Sequence, residues 1–262
     1  MRNGLLAVVL FACGSNSSST TTDGNNGSGG KDSGSGSNGS GGSGSSGPFG
    51  CLGKSIPSTA PDPVTLSGSA VTINTSFQVT GLANATIVAE HADGTVIGMT
   101  TTDGSGGYSL SLPTGGVPLD VHLEGSASTY RPSALYPAVD LYQNSAAGLV
   151  VIVTQAIFND LAEISGVTQD SSNGAVGVVV LDCNGSAVAG AVVDIPGGTV
   201  VYQGSNGVPN GAAIMTGSDG LALVFNVPAG SATLSATVGS MQLRSHVITA
   251  EAGVTTTAAI QP

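Results

Sequence analysis

A chain of 262 residues with 41 Gly, 12 Pro and only 8% charged residues has room for one large or two small domains and little material for a charged surface. Five basic residues against 16 acidic ones give a net charge of −11, so no Lys/Arg surface exists to neutralise a phosphate backbone, and the composition argues against nucleic acid as a partner. The acidic residues stand singly, as on a solvated surface that keeps a protein soluble.

Met1, Arg2, Asn3 and Gly4 form a short positive start, and Leu5 to Ala12 form an apolar stretch too short to span a bilayer, the pattern of an export signal. The stretch ends Leu10-Phe11-Ala12-Cys13-Gly14, which resembles the lipobox of bacterial lipoproteins, Phe11 being bulkier than the family usually shows. The resemblance implies a signal peptide at 1–12 and diacylation of Cys13, which becomes the membrane anchor, with the lipid bilayer as its partner. The alternative is an ordinary Cys in an apolar segment. Gly14, where a retained lipoprotein would carry Asp, implies by the same resemblance the outer membrane, at its periplasmic face or on the cell surface. Residues 13–50 then read as lipidated Cys plus a disordered Ser/Gly linker, too poor in apolar side chains to offset its ordering entropy. A coil of that length reaches ~30–35 Å.

From Val64 the pattern changes to period two. It is clearest in the run Val71-Thr72-Ile73-Asn74-Thr75-Ser76-Phe77-Gln78-Val79, which predicts one half-buried strand, and it recurs in Tyr108 to Leu112 and Leu119 to Glu124, each bounded by Gly- or Pro-containing turns. A second copy starts near Gly174. Val79-Thr80-Gly81-Leu82-Ala83-Asn84-Ala85-Thr86-Ile87 answers Ala187-Val188-Ala189-Gly190-Ala191-Val192-Val193, and Thr102-Asp103-Gly104 leads into Tyr108 to Pro113 as Gly217-Ser218-Asp219-Gly220 leads into Leu221 to Gly230. Asp103 and Asp219 are expected to form turns, their carboxylates accepting backbone N–H bonds, and not to act as catalytic acids.

These paired segments resemble the carboxypeptidase regulatory-like, or transthyretin-like, β-sandwich family. The resemblance implies an all-β fold of two tandem small β-sandwich (prealbumin/Ig-like) domains, at 51–145 and 174–262, joined by an inter-domain segment at 146–173. In that segment Thr154 precedes Gln155 to Ile164, where Ile157, Phe158, Leu161 and Ile164 share one face, predicting a short capped helix that packs against a sandwich or into the junction, with ligand recognition as the alternative. With Cys13 given to lipid, Cys51 and Cys183 remain as an even pair in an oxidising compartment, and a disulfide between them is expected. The alternative is a buried free Cys183 in its strand and an incidental Cys51.

Chemistry-bearing motifs are scarce. His91, His122 and His246 stand alone in sequence, with no H-x-H, HExxH or C-x-x-C, and His122 and His246 fall on the polar phase of their strands, where a solvent-facing side chain is the ordinary outcome. No metal, no cofactor and no catalytic residue is expected. The zinc ligand pair of the carboxypeptidases is missing, so the resemblance implies no peptidase activity. Tyr130, Tyr136 and Tyr142 lie close together in an irregular stretch and form a possible ligand-contact loop, with packing of that corner as the alternative. The expected function is that of a non-catalytic, membrane-anchored envelope lipoprotein displaying interaction or structural modules to an envelope glycan or protein partner. Polysaccharide binding through that loop is the second expectation, weakened by the absence of Trp.

Overall fold

The computed structural model describes residues 47–76, 78–204 and 208–262. The expected signal segment, Cys13 and most of the Ser/Gly stretch lie outside them. Among the described residues no helix is long and apolar enough to cross a membrane.

The first half contains β1 (Val64–Ile73), β2 (Val79–Gly81), β3 (Thr86–His91), β4 (Val96–Thr101), β5 (Gly107–Leu112), β6 (Val121–Ser126), β7 (Ser133–Tyr136) and β8 (Ser145–Val151). One sheet is built around β1, which pairs antiparallel with β5 and β2 and parallel with β8. The other runs β4-β3-β6-β7, all antiparallel. Alternation sends Leu66, Leu110 and Leu112 from the first sheet and Ile87, Val121, Leu123 and Leu135 from the second into one apolar core. The run expected as a single strand over 71–79 divides at Asn74. Its side-chain oxygen accepts the N–H groups of Ser76 and Gln78, closing a turn, and β2 folds back on β1 with Ile73 opposite Val79.

The second half repeats the plan with β9 (Gly174–Val180), β10 (Ala191–Asp194), β11 (Thr199–Gln203), β12 (Pro209–Asn210), β13 (Leu221–Val227), β14 (Gly230–Val238), β15 (Met241–Gln242), β16 (His246–Ala250) and β17 (Thr255–Ile260). As β1 lies between β5 and β8, so β9 lies between antiparallel β13 and parallel β17. As β6 lies between β3 and β7, so β14 lies between β10 and β16.

Each half also carries the same buried clasp. Thr102 Oγ1 accepts the Ala85 N–H at 2.9 Å and donates to the Leu82 carbonyl at 2.6 Å. Thr216 Oγ1 accepts from Ala191 at 2.9 Å and donates to Val188 at 2.7 Å. Both threonines are buried, and each hydroxyl satisfies two backbone groups at once.

The halves are joined edge to edge. β17 pairs with β9 on one side and, also in parallel, with β7 of the first half on the other. The result is one nine-stranded sheet in the order β12-β11-β13-β9-β17-β7-β6-β3-β4. Its two faces serve different cores. Leu123 and Leu135 enter the first core, whereas Val176, Val178, Ala258 and Ile260 point the other way into a second core with Leu234, Ala236 and Ile248 of the β10-β14-β16 layer.

The helix α1 (Gln155–Ile164) fills the junction, with Thr154 as its N-cap accepting the Ile157 N–H. Ile157, Phe158 and Ala162 pack against Val71, Ile73, Val151, Val153, Ala175, Val201 and Phe225. The expected stripe is shifted at its end: Ile164 is exposed and Ala162 is buried, because the last turn runs past the edge of the surface it packs on. Cys51 and Cys183 form a disulfide that fastens the segment leading into β1 to the turn after β9, and the Cys183 N–H donates to the Pro48 carbonyl beside it.

Candidate functional site

On the side of β3 and β6 that faces away from the first core, the nine-stranded sheet carries half-buried and exposed side chains. Alternation fixes what stands there. Val121, Leu123 and Gly125 are buried, so His122 and Glu124 project outward, and Glu90 of β3 does the same directly opposite His122. One ligand atom from each of Glu90, His122 and Glu124 lies within 4.8 Å of the others. Leu123 stands opposite Leu135, so His122 and Tyr136 come next on the same ladder, and their rings stack at 5.0 Å with 5° between the planes. Tyr136 meets His246 of β16 edge-on at 6.0 Å. A half-buried row thus runs from Glu90 across His122 and Tyr136 to the wall formed by the second half.

The electrostatics are one-sided. Burial first, and then the charges of Glu90 and Glu251, hold the Glu124 carboxyl above the usual carboxylate range against the pull of His122. Burial holds His246 below its ordinary value although its ring nitrogen lies 3.4 Å from the Ala259 carbonyl and Asp120 and Asp140 act on it from nearby. Asp140 is raised, by burial and then by Asp120.

A second concave region lies beside α1. Arg131 stacks over the Phe158 ring at 3.9 Å and donates to Gln155 Oε1 at 2.6 Å, and burial lowers its guanidinium from the ordinary value. It lines a polar cleft of roughly 420 Å³ with Gln155, Asn159, Gln169, Asp170 and Asn173.

The tyrosines expected as one contact loop face different surroundings. Tyr130 packs against the first core, Tyr136 against the second, and Tyr142 is half-buried. His91 lies away from the row, its Nδ1 at 3.2 Å from the Asp120 carbonyl. Asp103 accepts the N–H groups of Ser105 and Gly107 and the Ser105 hydroxyl, and Asp219 accepts the N–H of Leu221, so both carboxylates sit in turns. Cys13 lies outside the described residues. His122, alone in sequence, is gathered with two carboxylates only because β3 pairs with β6, and no local spacing announces that pairing. The threonine clasp was equally unmarked, although Thr102 and Thr216 each precede a Gly-rich turn by a few residues.

No family model matches the chain, and no curated protein matches it. Among solved structures it is similar to the Bacillus anthracis TIE protein (14% identity, 76% of this chain and 34% of that one, TM-score 0.26). It is similar also to a streptococcal ancillary pilin (15%, 76% and 63%, TM-score 0.19) and to two B repeat units of the collagen binding protein of Staphylococcus aureus (10%, 77% and 50%, TM-score 0.26). The chain therefore spans between about a third and two thirds of these proteins. At such scores the likeness carries no argument about function.

Proposed function

We propose that this chain is an exported, lipid-anchored cell-envelope protein that displays a rigid pair of β-sandwiches of the carboxypeptidase regulatory-like kind for interaction or architecture, and not for catalysis. The observation that carries the reading is the Cys51–Cys183 disulfide. Structural disulfides persist in oxidising compartments outside the cytoplasm, and this one fastens the chain where the Ser/Gly linker ends. A linker acylated at Cys13 would hold the sandwiches some tens of ångströms from a lipid surface, in the outer membrane. The continuous sheet supports display, because parallel pairing of β7 with β17 joins the two halves through backbone hydrogen bonds.

The test is metabolic labelling with palmitate of cells producing the full chain and a Cys13→Ala variant. The reading expects label and membrane association in the parent and neither in the variant. An unlabelled parent overturns the anchoring, and robust turnover of a substrate by the purified protein overturns the non-catalytic assignment.

Polysaccharide recognition is a second reading. Its support is the cleft at Arg131, whose volume of roughly 420 Å³ and amide-rich lining suit a sugar unit. It adjoins Tyr130 of the loop singled out in the sequence. Envelope polysaccharides offered to the full chain on an array should bind, and Arg131→Ala and Tyr136→Ala separate the cleft from the stacked row. Absence of binding removes this reading and leaves protein partners.

A further inference from the structure

We propose that Glu90, His122 and Glu124 form a binding site for one divalent first-row transition metal ion, with Zn2+ the best fit, on the outward face of the first sandwich. The inference goes beyond the display function and does not depend on the lipid anchor.

The donors are an imidazole nitrogen and two carboxylates, a set that zinc accepts at bond lengths of ~2.0–2.2 Å. Such bonds put neighbouring donors ~3.0–3.5 Å apart. The three ligand atoms already lie within 4.8 Å of one another, so small side-chain rotations close the distance without moving a strand. The backbone holds the arrangement, since Glu90 and His122 are directly opposed in the antiparallel ladder of β3 and β6 and Glu124 follows His122 on the same face of β6.

The side chains are otherwise uncommitted. Among the described residues no side-chain hydrogen bond or ion pair is made by any of the three. The imidazole plane is fixed by its stack on Tyr136, which limits the ordering cost of coordination. Glu251 adds a further negative charge that acts on Glu124, and no Lys or Arg is among the groups that do so. Two carboxylates held together without a cation of their own are complementary to a divalent ion. The imidazole decides its class: Ca2+ and Mg2+ prefer all-oxygen shells, whereas nitrogen with carboxylate oxygen suits zinc and its neighbours, among which affinity rises along the first row. Three protein donors on an outward face leave coordination positions open to water or to a partner's side chain.

The test is calorimetric titration of the full chain, stripped of metal by chelation, with ZnCl2, using CaCl2 and MgCl2 as comparison ions. One Zn2+ per chain with a dissociation constant in the micromolar range is expected, with no saturable Ca2+ or Mg2+ binding under the same conditions. His122→Phe keeps an aromatic ring against Tyr136 while removing the nitrogen, and Glu90→Gln keeps size and removes charge. Each should weaken Zn2+ binding at least about tenfold with an unchanged far-ultraviolet circular dichroism spectrum. Zn2+ binding unaltered in both variants, absence of Zn2+ binding, or a preference for Ca2+ overturns the proposal.

Discussion

On the outer face of the first sandwich, β3 and β6 carry Val88 beside Glu124, then Glu90 beside His122. At the corresponding places of the second, β10 and β14 carry Asp194 beside Ser235, followed on β14 by Thr233, and β10 ends before a counterpart of Glu90 is reached. The two halves thus repeat a topology and a threonine clasp but not a side-chain cluster. The halves diverge in a second respect. In the first half β4 extends the sheet that bears the cluster by pairing with β3, whereas in the second half β11 pairs with β13 and extends the opposite sheet. The clasp and core must recur because each sandwich has to bury its own apolar face, while an outward face is free to differ.

The largest effect is expected from the feature that ties the linker's end to the second half. Replacing Cys51 and Cys183 together with Ser opens a closure spanning 132 positions and should lower unfolding free energy by about 2–5 kcal/mol in chemical denaturation. Next come the clasps. Thr102→Val and Thr216→Val each leave a buried N–H and a carbonyl without their hydroxyl partner, and each should cost about 1–3 kcal/mol. Equal losses in the two halves support the repeat, and a loss confined to one half breaks it.

A smaller effect is expected at the turns, where the halves differ. Asp103 accepts three hydrogen bonds and Asp219 one backbone N–H, so Asp103→Ala should lower Tm more than Asp219→Ala. The smallest is a pH effect at the wall of the row. Burial holds His246 below its ordinary value, so the unfolded chain takes up this proton at a higher pH than the folded one. The stability conferred by neutral His246 is full above about pH 6.5, declines as the pH falls below that value, and is gone beneath the folded value. His246→Gln should flatten that part of the profile of denaturation midpoint against pH.

How much of this was legible in the sequence depends on range. Period-two alternation and Gly-rich turns placed strands such as β5 and β6, and the run from Thr154 to Ile164 placed the helix and its cap, because these signals are local. The run from Val71 to Val79 misled because Asn74 alternates like a strand residue while its side chain takes two backbone N–H groups. Alternation also says that His122 faces away from Leu123, but not that Glu90 stands opposite, nor that β7 meets β17. Those facts depend on which edges pair, and two unpaired edges of similar composition look alike in sequence. Cys51 and Cys183 were an exception, since setting Cys13 aside as the expected lipid site leaves a single possible pairing.

The central claim is that parallel pairing of β7 with β17 makes one sheet of two sandwiches, and hydrogen exchange of backbone amides in the full chain tests it most directly. Amides of Ser133–Tyr136 and Thr255–Ile260 should exchange as slowly as those of β6 and β9, the strands on either side. Fast exchange in Ser133–Tyr136 with slow exchange in β6 would mean that the edges are not joined and would contradict it.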